Sequence, residues 1–309
     1  MNKTMVHVTD IHEVNAERIR LLIECCIQAY NAFSDKDLSH CERAGVTVPD
    51  GFELLDCWSG VDSLFGRDKT VETYGLVFRS STAPWRYVFA FRGTDSALDM
   101  LDDCGVESQK FIPFESNVKV PADVSVESGF NDIYMSGDGA VVPMQKQLFA
   151  LVDQYHASAK PIDEVYITGH SLGAALSQLF ALDMAVSRPA ISTTNVNFAS
   201  PRVGNGAFVS FFLNHSQYTT LRVQNSYDAV PRLPPEELGF EHTPSVYMIA
   251  FHSTDMFGKI DLMASHSSIN YRAVIACASE SEAGICTTKD LLVDGKQLIC
   301  SEKPDINGG

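Results

Sequence analysis

The chain alternates apolar runs of strand length with longer stretches of helical periodicity. Residues 16–33 place apolar side chains three to four positions apart, from Ile19 through Leu22 to Phe33, which predicts an amphipathic helix. Further helices are predicted at 142–156, from Leu172 to about Val186, and at 205–213. Predicted strands cover residues 73–80, 86–93, 164–168, 195–200, 219–225 and 245–251.

Turn signals divide these elements. The first two predicted strands are separated by STAPW, a break of hairpin length that contains Pro84. Residues 34–70 are mixed and turn-rich and give no strand prediction. After Cys277 the chain becomes polar and holds one hairpin signal, LLVDGKQLI, with Asp294-Gly295 as its two-residue turn.

The order of strands and helices predicts an α/β fold with one mostly parallel or mixed sheet covered on both faces. No repeat, low-complexity tract or linker interrupts the pattern, so we expect residues 1–309 to form one domain. The composition, 45% hydrophobic and 20% charged, is that of an ordinary globular chain with room for one large α/β domain or two small ones.

Charge and hydropathy exclude some classes of partner. A formal net charge of −16 disfavours nucleic acid, since an acidic surface repels phosphate backbones. The negative charge also weakens binding to anionic membranes, but it does not exclude binding to neutral lipids. No apolar run approaches the roughly 18 residues of a transmembrane segment. Residues 1–20 lack the apolar region of a signal peptide. We therefore expect that the protein stays inside the cell, is exported without a cleaved signal, or had its signal removed before the first numbered residue.

The eight cysteines match no zinc-binding spacing, and a chain of 309 residues does not need disulfides to complete its core. Cys25 and Cys26 fall in the helical apolar pattern and are predicted to be core residues. The redox compartment therefore stays open.

The stretch EVYITGHSLGAALSQLFAL, residues 164–182, places Ser171 between two glycines where a predicted strand meets a predicted helix. One interpretation is a tight turn of an α/β protein, with glycines where the backbone needs room. The other is a nucleophile elbow, in which G-x-S-x-G exposes the serine Oγ at the carboxyl edge of the sheet. The strand before it and the helix after it favour the elbow.

A serine nucleophile needs a base within hydrogen-bond reach and an acid that orients the base. At an elbow of this kind, the acid and then a histidine follow the serine along the chain. Asp228 lies directly beyond a predicted strand, where a sheet presents functional groups, although a plain turn aspartate fits as well. Asp183 falls in the helix after the elbow and should face away, and Asp255 and Asp261 follow the last predicted strand.

Four histidines follow Ser171 and are candidates for the base. His266 lies in LMASHSSINYRAVI, among small residues that open a predicted final helix. His215 lies near a helix end, where a capping or surface role is simpler, and His242 and His252 flank a strand. His170 adjoins the serine, but its ring should point away from Oγ. Sequence order favours His266 and leaves the others open.

Acyl transfer also needs donors for an oxyanion. One is the backbone N–H after the nucleophile, that of Leu172, and the other comes from an earlier junction of strand and loop. The segment FAFRGTDS fits, since a buried strand ends there and Thr94 offers its N–H and its hydroxyl. An ordinary strand-ending turn is the alternative.

Five segments occur in the order found in one family: FAFRGTDS, VESGFNDIY, VYITGHSLGAALSQLFAL, VNFASPRVGN and YDAVPRLPP…GFEH. Over about residues 70–277 the chain resembles the class 3, or fungal-type, lipases of the α/β-hydrolase fold. The resemblance implies Ser171 as nucleophile, Asp228 as acid and His266 as base. It implies Thr94 and Leu172 as the oxyanion donors. It also implies a core at about 70–277, with the helix 16–33 packed on it and a polar extension at 278–309.

The same resemblance implies that about residues 95–108 form a lid that contacts a lipid interface transiently. A short amphipathic helix at 96–103 would place Ala97, Leu98 and Leu101 on one face and three aspartates elsewhere. A solvated surface helix fits that pattern equally well.

Two features depart from the family. Glu127 precedes SGF where the family often has histidine. Fungal members join their N-terminal helix to the C-terminal region by a disulfide. Cys277 lies at a suitable place for it, but Asn31 stands about where its partner is expected, which leaves Cys26 as a substitute.

The resemblance implies a carboxylic ester hydrolase without metal or cofactor, most directly a triacylglycerol lipase that acts through an acyl-enzyme. Phospholipases A1 and feruloyl-type esterases share these motifs and stay as alternatives. A binding module without activity on the same fold is a further alternative. The complete set of serine, acid, base and oxyanion donors argues against it.

Overall fold

The computed structural model describes residues 6–32, 43, 45–62, 70–94, 107–115, 118–137, 141–215, 220–255 and 257–301. The strands are β1 (Val6–Val8), β2 (Phe52–Asp62), β3 (Thr70–Ser80), β4 (Arg86–Phe91), β5 (Ser108–Lys110), β6 (Ser125–Glu127), β7 (Glu164–His170), β8 (Thr193–Phe198), β9 (Gly204–Asn205), β10 (Thr220–Asn225), β11 (Phe240–Glu241), β12 (Ser245–Ile249), β13 (Phe251–His252), β14 (Leu291–Val293) and β15 (Lys296–Cys300). The helices are α1 (Ala16–Asn31), α2 (Ser128–Met135), α3 (Met144–His156), α4 (Leu172–Ser187), α5 (Gly206–His215), α6 (Leu262–His266) and α7 (Ser268–Glu280).

An eight-stranded sheet in the order β1-β12-β10-β8-β7-β4-β3-β2 forms the centre of the molecule. Six neighbouring strands, β1, β12, β10, β8, β7 and β4, pair in parallel. At one edge of the sheet, β3 pairs antiparallel with β4, and β2 pairs antiparallel with β3. The antiparallel pair of β3 and β4 is the predicted hairpin around Pro84. The prediction of a mostly parallel, mixed sheet flanked by helices is therefore confirmed.

Alternating side chains of the buried strands face two separate cores. In β4, Tyr87, Phe89 and Phe91 point into a core completed by helices α2 to α5. Val88 and Ala90 of the same strand point into a second core, completed by α1 and α7. Since side chains alternate along a strand, a wholly apolar strand indicates a sheet buried on both faces.

No strand was predicted over residues 34–70, but β2 lies there and pairs along the length of β3. The ladder shifts register between Leu54 and Asp56 and again between Trp58 and Ser59. Each shift reverses which face the next side chains occupy, so the apolar alternation of the strand is lost from the sequence. The three-residue strand β1 was also missed.

The N-terminal helix begins at Ala16, where the Asn15 side chain accepts a hydrogen bond from the Arg18 N–H, and it ends at Asn31. Cys25 and Cys26 are buried, as predicted for core residues. The proposed substitute disulfide between Cys26 and Cys277 was wrong. Cys277 pairs with Cys286, and the free Cys26 thiol lies 3.3 Å from the Thr168 hydroxyl.

The predicted C-terminal hairpin is present as β14 and β15, and both turn residues, Asp294 and Gly295, have positive φ. Strand β15 also pairs with β13, which brings the hairpin against the central domain.

The predicted lid falls almost wholly on residues 95–106, which lie outside the described residues, and it stays a prediction. Of its last residues, Glu107 and Ser108 are exposed, and Ser108 begins β5. Among the described residues, no helix combines the length and apolar character that crossing a membrane requires.

Asp183 is buried in α4, and its carboxylate contacts residues other than Ser171 and His266. Its carboxylate accepts hydrogen bonds from the Phe114 N–H, the Tyr134 hydroxyl and the Gln145 amide at 2.7–2.9 Å, and a fourth from the Ser187 hydroxyl at 2.8 Å. Burial raises the pKa of Asp183, and the four hydrogen bonds act in the opposite direction.

We expect Asp183→Ala to lower the free energy of unfolding by about 3 kcal/mol, because it strands several buried donors at once. Asp153→Ala is the matched control. Asp153 is 52% exposed and pairs with Arg188 at the surface, so its loss should cost no more than about 1 kcal/mol. Urea unfolding of both variants measures the difference, and equal losses would contradict the role of the Asp183 network.

Candidate active site

The turn at Ser171 joins β7 to α4 within a single residue. Ser171 has φ of 59° and ψ of −129°, a region that residues other than glycine rarely adopt. A Cβ on Gly169 would lie 2.1 Å from the carbonyl oxygen of Gly173, and one on Gly173 would lie 2.6 Å from the Phe91 carbonyl oxygen. Both glycines are therefore required by close backbone contacts, which favours the nucleophile elbow over an ordinary turn.

Three predicted side chains meet at this turn. The His266 Nε2 lies 2.8 Å from the Ser171 Oγ, and the His266 Nδ1 lies 2.8 and 3.0 Å from the two carboxylate oxygens of Asp228. All three are buried. Since the carboxylate accepts, Nδ1 carries the proton and Nε2 is left to accept a hydrogen bond from the serine hydroxyl.

The Asp228 carboxylate is fixed by two further donors. The Val230 N–H donates to Oδ1 at 3.0 Å, and the Tyr271 hydroxyl donates to Oδ2 at 2.9 Å. The Tyr271 oxygen in turn accepts from the Asn225 N–H at the end of β10. These contacts place the carboxylate just beyond the strand end where the sequence predicted it.

His170 supports the backbone of His266, a contact that sequence reasoning missed. Its ring points away from the Ser171 Oγ, as expected, and its Nε2 lies 2.8 Å from the His266 carbonyl oxygen. A carbonyl only accepts, so Nε2 carries the proton and Nδ1 accepts from the Tyr30 hydroxyl at 2.9 Å. Burial, and then the charge of His266, lower the pKa of His170 well below 6.5.

The two predicted oxyanion donors belong to backbone segments next to Ser171. Leu172 is the first residue of α4, so its N–H lies at a helix N-terminus, where the helix dipole favours negative charge. Thr94 follows β4, and a Cβ on its neighbour Gly93 would lie 3.0 Å from the Ser171 Cβ. The oxyanion roles of Thr94 and Leu172 stay predictions.

A cavity of about 400 Å³ opens beside His266. Its walls come from α1, the loop after β4, the elbow, α6, the first turn of α7 and the C-terminal hairpin, and include Tyr30, Thr94, Met263, Val293 and Lys296. The contribution of the hairpin was not foreseen. A larger groove of about 640 Å³ lies between α1, α7 and the other side of the hairpin, and none of the predicted site residues lines it.

The other histidine candidates are occupied elsewhere. The His215 Nδ1 lies 3.0 Å from the Phe211 carbonyl within its own helix. The His242 Nε2 lies 2.7 Å from the Pro231 carbonyl, and the His252 ring packs on an aromatic side chain. None of these contacts involves Ser171, whereas His266 contacts the Ser171 Oγ, so His266 is the candidate base.

The carboxylates of the remaining acidic candidates accept hydrogen bonds from backbone N–H groups. Asp255 and Asp261 accept hydrogen bonds from N–H groups of their own segment. Glu127, where the family often has histidine, is buried and caps α2 by accepting from the Phe130 N–H at 2.8 Å. Among the described residues, no group of three or more histidine, cysteine or acidic side chains is placed to hold a metal ion.

His170 should make folding pH-dependent. In the unfolded chain it binds a proton near pH 6.5, whereas the folded pKa lies well below that value. Because the unfolded state then binds more protons, stability falls as the pH drops below 6.5.

We expect His170→Gln to remove this dependence, because an amide can still donate to the His266 carbonyl and accept from Tyr30. Relative to wild type, the variant should gain about 1.4 kcal/mol between pH 7.5 and 5.5. Urea unfolding at both pH values gives this difference. A wild-type-to-variant gap that does not change with pH would show that His170 does not titrate on unfolding.

Known proteins that are similar to this chain include lipases and phospholipases. A model of the family Lipase (class 3) matches residues 88–238. The chain is 29% identical over 225 residues to a lipase of Rhizomucor miehei, which covers 71% of this chain and 53% of that protein. It is 32% identical over 214 residues to phospholipase A1-II 3 of Oryza sativa subsp. japonica, which covers 62% and 50%. The chain thus spans about half the length of the curated relatives it matches.

The solved structure of lipase II from Rhizopus niveus superposes with a TM-score of 0.55 at 23% identity, over 82% of this chain and 88% of that one. This likeness shows a shared fold. The fold, the family match and the order of the five motifs agree with the resemblance found in the sequence. The chain matches the class 3 lipase family over residues 88–238 and has the α/β-hydrolase fold.

Proposed function

We propose that the protein hydrolyses carboxylic esters, with acylglycerols as the substrate class, through Ser171, His266 and Asp228. One observation carries the proposal: an unbroken chain of hydrogen bonds runs from the Ser171 Oγ through both imidazole nitrogens of His266 to the Asp228 carboxylate. A serine hydroxyl is a weak nucleophile on its own, and this arrangement is what activates it.

In the acylation half, Nε2 of His266 takes the proton of the Ser171 hydroxyl while Oγ attacks the ester carbonyl carbon. The carbonyl oxygen becomes an oxyanion that accepts hydrogen bonds from Leu172 and Thr94. The bond from carbon to the alcohol oxygen then breaks. The alcohol leaves with the proton held by His266, and the acyl group stays on Oγ.

In the deacylation half, His266 takes a proton from water as the water oxygen attacks the acyl-enzyme. The second oxyanion collapses, the bond to Oγ breaks, and Ser171 regains its proton from His266. Throughout, Asp228 holds the imidazole in one tautomer and stabilises its charged form. The Val230 and Tyr271 donors keep that carboxylate in place.

Acylglycerols are the first choice of substrate because a relative at 29% identity carries the name lipase. Phospholipid is the second candidate, because a relative at 32% identity is named a phospholipase A1. Both substrates present the same ester carbonyl to the serine, so the triad alone does not discriminate between them. Hydrolysis rates measured on tributyrin, triolein, phosphatidylcholine and methyl ferulate discriminate between these substrate classes.

We expect the highest kcat/KM on the two triacylglycerols. A preference for phosphatidylcholine would favour the phospholipase, and a preference for methyl ferulate would favour a feruloyl-type esterase. If none is hydrolysed and a fluorophosphonate does not label the protein, the proposal gives way to a binding module without activity.

Ser171→Ala should lower kcat by about 10⁴-fold or more, because no other group can form the acyl-enzyme. Fluorophosphonate labelling should disappear with it. Ser268→Ala, which changes a serine that lines the cavity beside His266, should still be labelled. Near-normal turnover in folded Ser171→Ala would refute the assignment of the nucleophile.

Asp228→Asn should lower kcat by about 10⁴-fold, because the amide favours the wrong imidazole tautomer while preserving the shape. Asp255→Asn and Asp261→Asn serve as controls and should stay within a few-fold of wild type. Steady-state rates on one soluble ester compare the three variants. A large loss in either control with an active Asp228→Asn would move the acid to that residue.

A further inference from the structure

The C-terminal hairpin supplies three residues to the cavity beside His266, which we call the His266 cavity: Val293, Asp294 and Lys296. The hairpin consists of β14 and β15 and lies well beyond residue 238, where the family match ends. The motifs that this chain shares with the family therefore do not account for this wall of the cavity.

Pairing and burial hold the hairpin in place. Strand β15 pairs with β13, where Cys300 lies opposite Phe251, and with β14, where Leu298 lies opposite Leu291. Leu298 and Cys300 are buried in the core that α1 and α7 complete. The turn between β14 and β15 thus has a fixed backbone on both sides, so its side chains form a wall of defined shape.

The chemistry of the proposed reaction places the alcohol part of the ester next to this cavity. The alcohol oxygen takes its proton from the His266 imidazole as it leaves, so the alcohol must contact that ring. His266 lines the cavity, and so does Thr94, one of the two predicted oxyanion donors. The cavity is therefore the space beside the leaving alcohol, and the hairpin faces that space.

The hairpin presents charged groups to this space. The Lys296 ammonium group lies 3.2 Å from the Asp261 carboxylate, and the Lys296 side chain is 63% exposed. An ammonium group carries three donors, whereas the exposed carboxylate of Asp294 only accepts. An apolar alcohol would cover these groups without replacing their hydrogen bonds to water, which costs free energy. Hydroxyl groups can both donate and accept, so they replace those bonds.

Asn270 adds an acceptor inside the cavity. This residue of α7 lines the cavity and is only 7% exposed. Its amide nitrogen donates to the Ala264 carbonyl at 2.8 Å, and its amide oxygen accepts no hydrogen bond from the part of the chain that the structure describes. A hydroxyl group can donate to this oxygen, whereas an ionised phosphate only accepts. The carboxylates of Asp261 and Asp294, set against one ammonium group, also oppose a phosphate.

We propose that Lys296 and Asp294 of the C-terminal hairpin are specificity-determining residues for the alcohol part of the ester. Together with Asn270, they favour a neutral alcohol with free hydroxyl groups over an apolar alcohol or one that carries a phosphate. The inference rests on the proposed function, because it assigns the cavity from the proton that His266 returns to the alcohol.

Three soluble butyrate esters that differ only in the alcohol test this selection. They are 1-monobutyrylglycerol, n-propyl butyrate, which has the same carbon skeleton without the free hydroxyls, and 1-butyrylglycerol 3-phosphate. The wild-type kcat/KM for 1-monobutyrylglycerol should exceed that for n-propyl butyrate by about tenfold or more, since a site that binds hydroxyls rejects an analogue without them. The phosphate ester should also react more slowly than 1-monobutyrylglycerol.

Lys296→Met should lower the preference for 1-monobutyrylglycerol over n-propyl butyrate by about tenfold, because the donors are lost while the apolar stem remains. Lys296→Arg restores charged donors and should keep the preference within about twofold. The matched control is Lys289→Met. Lys289 is exposed just before β14 and lines neither the His266 cavity nor the groove beside it, so the preference should not change.

A second pair of measurements isolates the alcohol from the rest of the substrate. Asp294→Asn keeps a residue that tolerates positive φ and removes one negative charge, so it should raise the relative rate on the phosphate ester. The ratio of kcat/KM between 1-monobutyrylglycerol and 1-monooctanoylglycerol should stay at the wild-type value in every variant, because the alcohol is the same in both esters.

An unchanged alcohol preference in Lys296→Met would overturn the proposal. So would an equal loss on all esters, because Lys296 would then act only through Asp261 and the helix of His266. Fastest hydrolysis of the phosphate ester, lost in Lys296→Met, would assign Lys296 to a phosphate and contradict the selection of hydroxyls. If wild type hydrolyses none of these esters, the proposed function fails and the inference with it. Hydrolysis that is insensitive to the hairpin variants rejects the inference alone.

Discussion

The close backbone contact around Ser171 is the constraint on which the rest of the site depends. A non-glycine residue at this φ and ψ costs roughly 1–3 kcal/mol and persists only where the surroundings determine it. Here β7 is almost wholly buried, and every residue of α4 from Leu172 to Val186 is buried. The Ser171 N–H also donates to the Phe198 carbonyl of the neighbouring strand. The backbone of the strained residue is thus held from both sides.

The elbow positions His266 as well as Ser171. His266 ends a helix of only five residues, so its own element gives it little support. Its carbonyl is held by His170, which directly precedes Ser171, and its ring is held by Asp228. Tyr30 fixes the far side of His170, and Tyr271 fixes Asp228. Hydrogen bonds from both ends of the chain therefore converge on one imidazole, and moving any one of these groups would disturb its alignment.

Local sequence patterns predicted the parts of this arrangement that local forces determine. Strands β3, β4 and β7 and helix α4 were predictable because period-two and helical patterns are undisturbed there. Strand β2 was not, because its register shifts erase the alternation. The order of motifs also singled out Ser171, Asp228 and His266, and the structure brings their side chains together. The bond between Tyr30 and His170 joins residues 140 positions apart, and no local pattern carries it.

The family match and most of the cavity wall lie in different parts of the chain. Residues 88–238 include Thr94, Ser171 and Asp228, whereas most of the cavity wall comes from α1, α6, α7 and the C-terminal hairpin.

The hairpin also contacts the segment that carries His266. Lys296 lies 3.2 Å from the Asp261 carboxylate that caps the helix of His266. The segment that shapes the cavity can therefore vary in size and charge while the serine, the acid and the strained turn stay as they are. Such a protein can keep Ser171 and Asp228 unchanged and still differ in the ester that the proposed reaction accepts, because among the three triad side chains only His266 lies on the segments that form most of the cavity wall.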